Sequence, residues 1–269
     1  MDVGRHLRLE DAIEWAARHG VPHIDIQLDT GANAVTTFDA ARCRAIRAAC
    51  AAHGVRLALH TLSAVNVAEY SPFLSEAVDA YLRAYIEVAP RLGAEWVVVH
   101  AGYHFTADRA MRMEAGRERL HRMARHAERE GALLLLENLN PEPPHAEIRY
   151  LAHTIEEWRY YYEAIASPAF ALSFTANHAH LLPEGVEGFV AAIPLDRVRE
   201  VRLADCRRNG HEEHLVPGRG DVDFGGLFRL LEGRGYRGRY TNAFGTLEDM
   251  QAARAWLVEQ ARTAGVAVD

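Results

Sequence analysis

The sequence predicts an α/β fold, a single (β/α)8 barrel domain that spans residues 1–269. Short runs rich in leucine and β-branched residues alternate with amphipathic helical stretches along the whole chain. Several of the strand-like runs are almost continuously apolar, as expected for parallel strands that are buried on both faces. No linker or shift in composition divides the chain, and repeated βα units of this kind are typical of a barrel. A doubly wound open sheet is the alternative, but no glycine-rich turn follows an early strand.

The predicted strands are short and evenly spaced along the chain. After a weak start at 2–3, they cover 23–28, 56–60, 96–100, 133–137, 169–174, 198–203 and 239–244. The predicted helices cover 9–18, about 38–52, a long segment through Tyr81, 111–130, 154–165 and a terminal segment. A further helix is predicted to begin at Phe224, with Asp223 as its N-terminal cap.

Composition and charge exclude several classes of protein. The chain is 49% hydrophobic and 25% charged, which is ordinary for a globular protein, and its net charge of −7 disfavours nucleic acid as a partner. No apolar run reaches the roughly 18 residues that a membrane span requires. Three scattered cysteines form no disulfide framework, and the first residues have no apolar signal-peptide core, so a cytoplasmic location is expected.

Polar residues recur where the predicted strands end. His60, His100 and Glu137 close three successive strands, and the carboxyl ends of barrel strands carry the chemistry of such folds. Imidazole and carboxylate donors together suit zinc, manganese or iron. The pattern therefore predicts a divalent metal site at the barrel mouth, and no nucleotide cofactor is expected.

The later strands and one loop add further polar residues of the same kind. Thr175 and His178 follow the strand 169–174, and Arg202 lies near the end of the strand 198–203. Glu212 and His214 lie in the loop that comes next. These residues widen the predicted site at the strand ends.

With these residues in view, the chain resembles the xylose isomerase-like TIM barrel superfamily. The motifs that carry the resemblance are VVVHAG at His100, LLLLENL at Glu137, FTANHAHLL at His178, and VREVRLAD followed by EEHLVPGRGDVDF. The superfamily includes sugar phosphate isomerases and epimerases and the endonuclease IV (AP endonuclease family 2) nucleases. The resemblance covers essentially the whole chain and implies a small sugar-like or polyhydroxy carbonyl substrate.

The fullest site in this superfamily holds three metal ions, and the resemblance implies ligands for two of them here. The first metal's ligands correspond to His60, His100 and Glu137, and the third metal's ligands correspond to His178, Glu212 and His214. Glu212 stands where an aspartate is usual.

The ligands of the middle metal are changed. Thr175 stands where the family has Asp, Arg202 where it has His, and Ala243 where it has Glu. Arginine is never deprotonated in proteins, so Arg202 would repel a metal ion and could pair with Glu137 or with an anionic substrate. Because the second glutamate of the family's epimerases is missing, a two-base epimerisation is not expected.

The resemblance implies isomerase or lyase chemistry in which a carboxylate moves a proton beside a carbonyl. The candidate catalytic residues are Glu137, His178 and Arg202, and the candidate substrate-binding residues are Arg208, Thr175 and Asn138. Two alternatives stay open: an endonuclease IV-like metal-dependent phosphodiester hydrolase, and a barrel that has lost catalysis and only binds a ligand. The sequence also leaves open a homo-oligomer.

Overall fold

The computed structural model of the chain describes residues 1, 3 and 6–268. By its internal contacts the chain divides into two compact units. The first unit contains residues 1–136 and 162–171, and the second contains residues 137–161 and 172–269. In the described ranges no helix is long and apolar enough to cross a membrane, and the cytoplasmic location stays a prediction.

The first unit consists of strands that alternate with helices. Its strands are β1 (His23–Ile26), β2 (Arg56–His60), β3 (Val97–Val99), β4 (Tyr103–Phe105) and β5 (Leu134–Glu137), and its helices are α1 (Leu9–Arg18), α2 (Ala40–His53), α3 (Pro72–Leu92) and α4 (Arg109–Glu130). Strands β1, β2, β3 and β5 pair in parallel, with Ile26 opposite Leu59 and Val99 opposite Leu136. Apart from the first residue of β2, these four strands are buried, as their apolar sequences predict.

The second unit continues the alternation. Its elements are β6 (Ile148–Tyr150), α5 (Ile155–Tyr162), β7 (Phe170–Thr175), α6 (Ala176–His180), α7 (Gly185–Ala192), β8 (Val198–Leu203), α8 (Phe224–Gly233), β9 (Arg239–Asn242) and α9 (Leu247–Thr263). Strand β7 pairs in parallel with β8, and β8 with β9, so that Arg202 lies opposite both Thr175 and Thr241.

Seven strands form the parallel sheet in the chain order β1, β2, β3, β5, β7, β8, β9, which confirms the predicted α/β class. The bounds predicted for α1, β2 and β8 are those observed. The predicted start at 2–3 falls partly on Asp2, which lies outside the described residues. Val3 donates a backbone hydrogen bond to the Asp25 carbonyl at 3.2 Å, so this segment borders β1.

The sequence analysis did not predict four short elements, β4, β6, α6 and α7. Strands of three residues and helices of five to eight residues are too short for a hydrophobic period to stand out. The predicted cap is confirmed, because the Asp223 carboxylate accepts a hydrogen bond from the Gly226 amide at 2.8 Å at the start of α8. Helix α2 ends at Gly54, whose φ of 65° is accessible to glycine without strain.

Each unit has its own buried apolar cluster. In the first unit, Trp96 packs with Ala58, Val98, Leu135 and Ala171. In the second unit, Trp158, Phe174 and Phe189 pack ring against ring with centroids 6.2 to 6.4 Å apart. These clusters stabilise the strands by packing. Most of the polar residues described next lie at or beyond the strand ends.

Candidate active site

Two histidines meet at the strand ends of the first unit. His60 is the last residue of β2, His100 follows β3, and their Nε2 atoms lie 3.1 Å apart in a buried setting. The Nδ1 atom of His60 is 3.4 Å from the carboxylate of Asp25, and that of His100 is 3.4 Å from the Thr61 hydroxyl. Each imidazole thus has a polar neighbour at Nδ1 and directs Nε2 toward the other ring. This is the arrangement that metal-binding histidines adopt.

Asp25 was not singled out from the sequence, although it orients one of the predicted ligands. It is fully buried in β1, in the run His23–Ile26, where a carboxylate between two isoleucines is costly without a partner. A charged residue inside a short apolar strand was the signal that could have found it.

In the second unit, Glu137 ends β5 and is held by two other predicted site residues. The Thr175 hydroxyl donates a hydrogen bond to the Glu137 carboxylate. The Nε atom of Arg202 lies 3.9 Å from the same carboxylate oxygen, and both side chains of this ion pair are about 5% exposed or less. The predicted pairing of Arg202 with Glu137 is therefore present.

Arg202 also approaches a second carboxylate, that of Glu200, at 3.4 Å. Glu200 is fully buried and accepts hydrogen bonds from the hydroxyls of Ser173 (2.9 Å) and Thr241 (2.6 Å). Glu200 and Arg202 are two apart on β8, so their side chains lie on the same face of the strand. Sequence reasoning missed Glu200, whose position inside the run VREVRL was the available signal.

The middle metal of the superfamily does not fit these residues. Arg202 carries a fixed positive charge against Glu137, and Ala243, which is buried, offers no side-chain donor. Thr175 uses its hydroxyl as a donor to Glu137, so it does not replace the missing carboxylate. We therefore assign no chemistry to a metal ion at this position.

His178 presents a nitrogen without a hydrogen-bond partner. Its Nδ1 lies 2.7 Å from the Asn138 carbonyl oxygen, and because a carbonyl only accepts, Nδ1 carries the proton. Its Nε2 is then an acceptor, and it is buried with no hydrogen-bond partner in the part of the chain that the structure describes. A histidine in this state can accept a hydrogen bond from a hydroxyl group or bind a metal ion through Nε2.

Glu212 and His214 lie near His178 in the same unit. The rings of His178 and His214 are edge to face with centroids 5.8 Å apart, and Nδ1 of His214 is 3.8 Å from Oε1 of Glu212. The other carboxylate oxygen of Glu212 is buried and, within the described ranges, has no hydrogen-bond partner. The three residues that resemble the third metal's ligands are thus neighbours, but among the described residues their donor atoms do not all lie within 4.8 Å of one another.

The two remaining predicted substrate contacts are engaged by the backbone. Asn138 is fully buried, its amide oxygen accepts from the Thr175 N–H at 2.7 Å, and its amide nitrogen donates to the Thr175 carbonyl at 3.1 Å. This contact positions Thr175 beside Glu137. Arg208 is exposed and donates hydrogen bonds to the carbonyls of Leu182 (2.8 Å) and Pro183 (3.3 Å), so it holds the turn after α6.

The loop that carries Glu212 and His214 is organised by Asp205, a role the sequence did not reveal. The Asp205 carboxylate accepts backbone hydrogen bonds of 2.9 to 3.1 Å from Cys206, Gly218, Gly220 and Val222. At Gly220 a Cβ atom would overlap this carboxylate, so the close approach requires glycine. Asp205 thereby closes the base of the loop.

His180, the second histidine of the segment FTANHAHLL, differs from His178 in its surroundings. Burial lowers the pKa of His180, and the nearby guanidinium of Arg208 lowers it further. This histidine therefore favours the neutral form.

The family model of the xylose isomerase-like TIM barrel matches residues 13–260. The chain belongs to this family. The match confirms the fold class expected from the strand and helix pattern and the resemblance drawn from the site motifs. No curated protein sequence matches the chain.

Solved structures of similar proteins share this fold. A D-tagatose 3-epimerase-like protein is 22% identical, with a TM-score of 0.82 and 96% of each chain covered. The D-psicose 3-epimerase of Clostridium cellulolyticum H10, whose structures include D-tagatose, is 15% identical with a TM-score of 0.78, covering 97% of this chain and 95% of that one. A xylose isomerase domain protein of Alicyclobacillus acidocaldarius is 18% identical with a TM-score of 0.74, covering 98% and 96%. At these identities the likeness concerns the fold.

Proposed function

We propose that this protein is an enzyme of the sugar isomerase/epimerase type that acts, with isomerase or lyase chemistry, on a small polyhydroxy carbonyl compound. The observation that carries the proposal is the buried Glu137 carboxylate. It accepts a hydrogen bond from the Thr175 hydroxyl and lies 3.9 Å from the Arg202 guanidinium. Structural neighbours that are sugar 3-epimerases support the substrate class. The small-molecule substrate would bind at the carboxyl ends of the strands.

A divalent ion of zinc, manganese or iron is part of the proposal, with His60, His100 and Glu137 as its ligands. All three side chains are buried, and they offer two imidazole nitrogens and one carboxylate, a donor set that suits these metals. The convergence of the two Nε2 atoms in the first unit supports this assignment, because metal-binding histidines direct one ring nitrogen at the ion while the other has a polar neighbour. When bound, the ion would polarise the substrate carbonyl.

The proposed chemistry of the chain's own residues is a single-base proton transfer. Glu137 removes the proton from the carbon beside the carbonyl, and the electrons of the broken C–H bond move to the carbonyl oxygen. Arg202 stabilises the negative charge that develops there, and His178 accepts a hydrogen bond from a substrate hydroxyl through Nε2. Isomerisation is complete when Glu137 returns the proton to the former carbonyl carbon and the proton of the adjacent hydroxyl moves to the former carbonyl oxygen. In an elimination, the protonated Glu137 instead gives its proton to the β-hydroxyl, which leaves as water while the carbonyl re-forms.

One base favours these outcomes over epimerisation at the carbon that loses its proton. Inversion there requires a second group to deliver a proton to the opposite face. Ala243 stands at the position of the family's second glutamate and has no acidic group. Isomerisation and elimination need only one face of the substrate.

The test is solvent deuterium incorporation, followed by NMR, into a panel of ketoses and inososes with each metal supplied. Glu137→Gln should lower any exchange by about 10²- to 10⁴-fold, because the amide cannot accept the proton. Glu76→Gln, an exposed change on α3, is the matched control and should leave the rate unchanged. Full exchange by the Glu137→Gln protein would remove this residue from the mechanism.

A barrel that binds a sugar-like ligand without turnover is the second candidate. It is favoured by the pairing of Arg202 with the carboxylates of Glu137 and Glu200, which neutralises the proposed base internally. Saturable ligand binding by calorimetry, with no deuterium exchange in the same compounds, would select this candidate. The nuclease alternative gains no support from the net charge of −7.

A further inference from the structure

A cavity of about 330 Å³ lies on the first unit, built from residues other than the strand-end set described above. It is lined by Ala40, Cys43, Arg44, Arg47 and Arg91. The first four belong to α2, and Arg91 lies at the end of α3. The volume falls within the range of small-molecule sites. Three of its five lining residues are arginines, which is unusual in an acidic protein.

The three arginines have no carboxylate partner within the described part of the chain, and the two that donate hydrogen bonds, Arg47 and Arg91, donate to backbone carbonyls. Arg91 donates a hydrogen bond to the Phe38 carbonyl at 3.1 Å, and Arg47 donates to the Pro90 carbonyl at 3.5 Å. Arg42, on the same helix, shows the contrast, because its guanidinium pairs with the Glu10 carboxylate at 2.8 Å. The positive charge that lines the cavity is thus uncompensated.

We propose that this cavity binds the phosphate group of a small phosphorylated molecule. Planar guanidinium groups match phosphate oxygens with paired hydrogen bonds, and arginine is the preferred residue for such recognition. The Asp39 carboxylate already caps the first turn of α2 by accepting from the Arg42 amide, so the arginines supply the attraction for an anion. Ala40 and Cys43 offer an apolar wall to the carbon part of the ligand.

The size and charge of the surroundings favour a small molecule over a polynucleotide. A cavity of this volume admits one or two phosphate groups with a small organic part, and a nucleic-acid site would need a basic stripe. The net charge of −7 disfavours binding of a long polyanion. A single phosphate group interacts mainly with the charges next to it, because salt screens the more distant charges of the protein. The proposed site contains none of the proposed catalytic residues, so its test is independent of the proposed function.

Isothermal titration with pyrophosphate, orthophosphate and glycerol 1-phosphate tests the proposal and distinguishes free phosphate from a phosphate ester. We expect saturable binding of at least one of them at one site per chain. The variant R44Q/R47Q/R91Q should bind at least about tenfold more weakly, since each guanidinium–phosphate contact is a charge-assisted hydrogen bond. R125Q/R229Q/R254Q removes the same charge from α4, α8 and α9 and should bind like the wild type.

Ala40→Glu is a second variant that keeps all three arginines in place. A carboxylate in the first turn of α2 is compatible with the helix, yet it puts a negative charge at the cavity. This variant should lose binding while its thermal unfolding stays within a few degrees of the wild type, as judged by circular dichroism.

Three results would overturn the proposal. The first is equal affinity in the wild type and in R44Q/R47Q/R91Q. The second is weak, unsaturable binding that is the same in all variants, which means attraction to surface charge only. The third is tight binding of a single-stranded RNA 20-mer without binding of the small phosphates, which would make the site one for a polynucleotide.

Discussion

Replacing Arg202 by methionine tests whether this side chain is the cation that balances two buried carboxylates. The guanidinium lies 3.4 Å from Glu200 and 3.9 Å from Glu137, with all three side chains at most about 5% exposed. Removing one partner of a buried ion pair costs about 3–5 kcal/mol, because the other charge stays buried without compensation. The long distances, and the two hydroxyls that still donate to Glu200, place the expected loss near 3 kcal/mol.

The assay is urea and thermal unfolding of Arg202→Met, followed by circular dichroism. For a chain of this size, 3 kcal/mol corresponds to a decrease in Tm of about 6–12 °C. The loss should be largest at neutral pH and shrink as the pH falls, since protonation removes the uncompensated charge of the carboxylates. Adding Glu200→Gln should restore part of the stability, because it removes one uncompensated negative charge. The amide oxygen accepts one of the two hydroxyl hydrogen bonds, and the amide NH2 donates to the other hydroxyl.

The control is Arg237→Met. Arg237 forms an ion pair with Glu232, and its side chain is 71% exposed. Exposed pairs contribute about 1 kcal/mol or less, so this change should shift the Tm little. If Arg202→Met unfolds at the same urea concentration as the wild type, the reasoning that Arg202 compensates a buried charge is refuted.

Two further predictions concern other parts of the molecule. His100→Ala should lower the zinc, manganese or iron content of tag-free protein, measured by mass spectrometry, to well below that of the wild type. His121→Ala, on the exposed face of α4, is the control and should not lower it. Equal metal content in His100→Ala and the wild type would remove His100 from the ligand set. Glu10 has its pKa lowered to about 2, chiefly by the hydrogen bond from Arg42, so it stabilises the fold above its unfolded pKa and loses this effect as the pH falls through about 2. Arg42→Met should move the Glu10 pKa, followed by NMR titration, back toward 4.5, and an unchanged value would contradict the assignment.

The elements that could be predicted from the sequence are those with a strong local pattern. Strand β2 ends on the polar residue His60, strand β8 has valine and leucine among its charged residues, and α1 has a clear helical period, so their bounds were predicted correctly. Strands β4 and β6 have three residues each and depend on tertiary contacts, which local sequence does not encode. Helix α6 begins directly after β7 and has five residues, too few for a helical period to be visible in the sequence.

The candidate site could be predicted where it follows from topology. His60 and His100 end adjacent parallel strands, so their proximity follows from the pairing of β2 with β3. Glu200 and Asp205 were missed for a different reason. Their roles depend on hydroxyls from neighbouring strands and on four backbone amides of a folded loop, neither of which is visible before the chain folds.

The changes at the middle-metal position are coherent as a set of charges. Relative to the family pattern, Thr175 and Ala243 remove two carboxylates, which is the negative charge that a divalent ion would balance. Arg202 then adds one positive charge, and the fully buried Glu200 lies 3.4 Å away to balance it. Burying an unpaired charge is costly, so a substitution of only one of these residues would destabilise the strand ends. Without an ion, the charges of Glu137, Glu200 and Arg202 sum to about −1, and the guanidinium of Arg202 is the electrophile within this cluster.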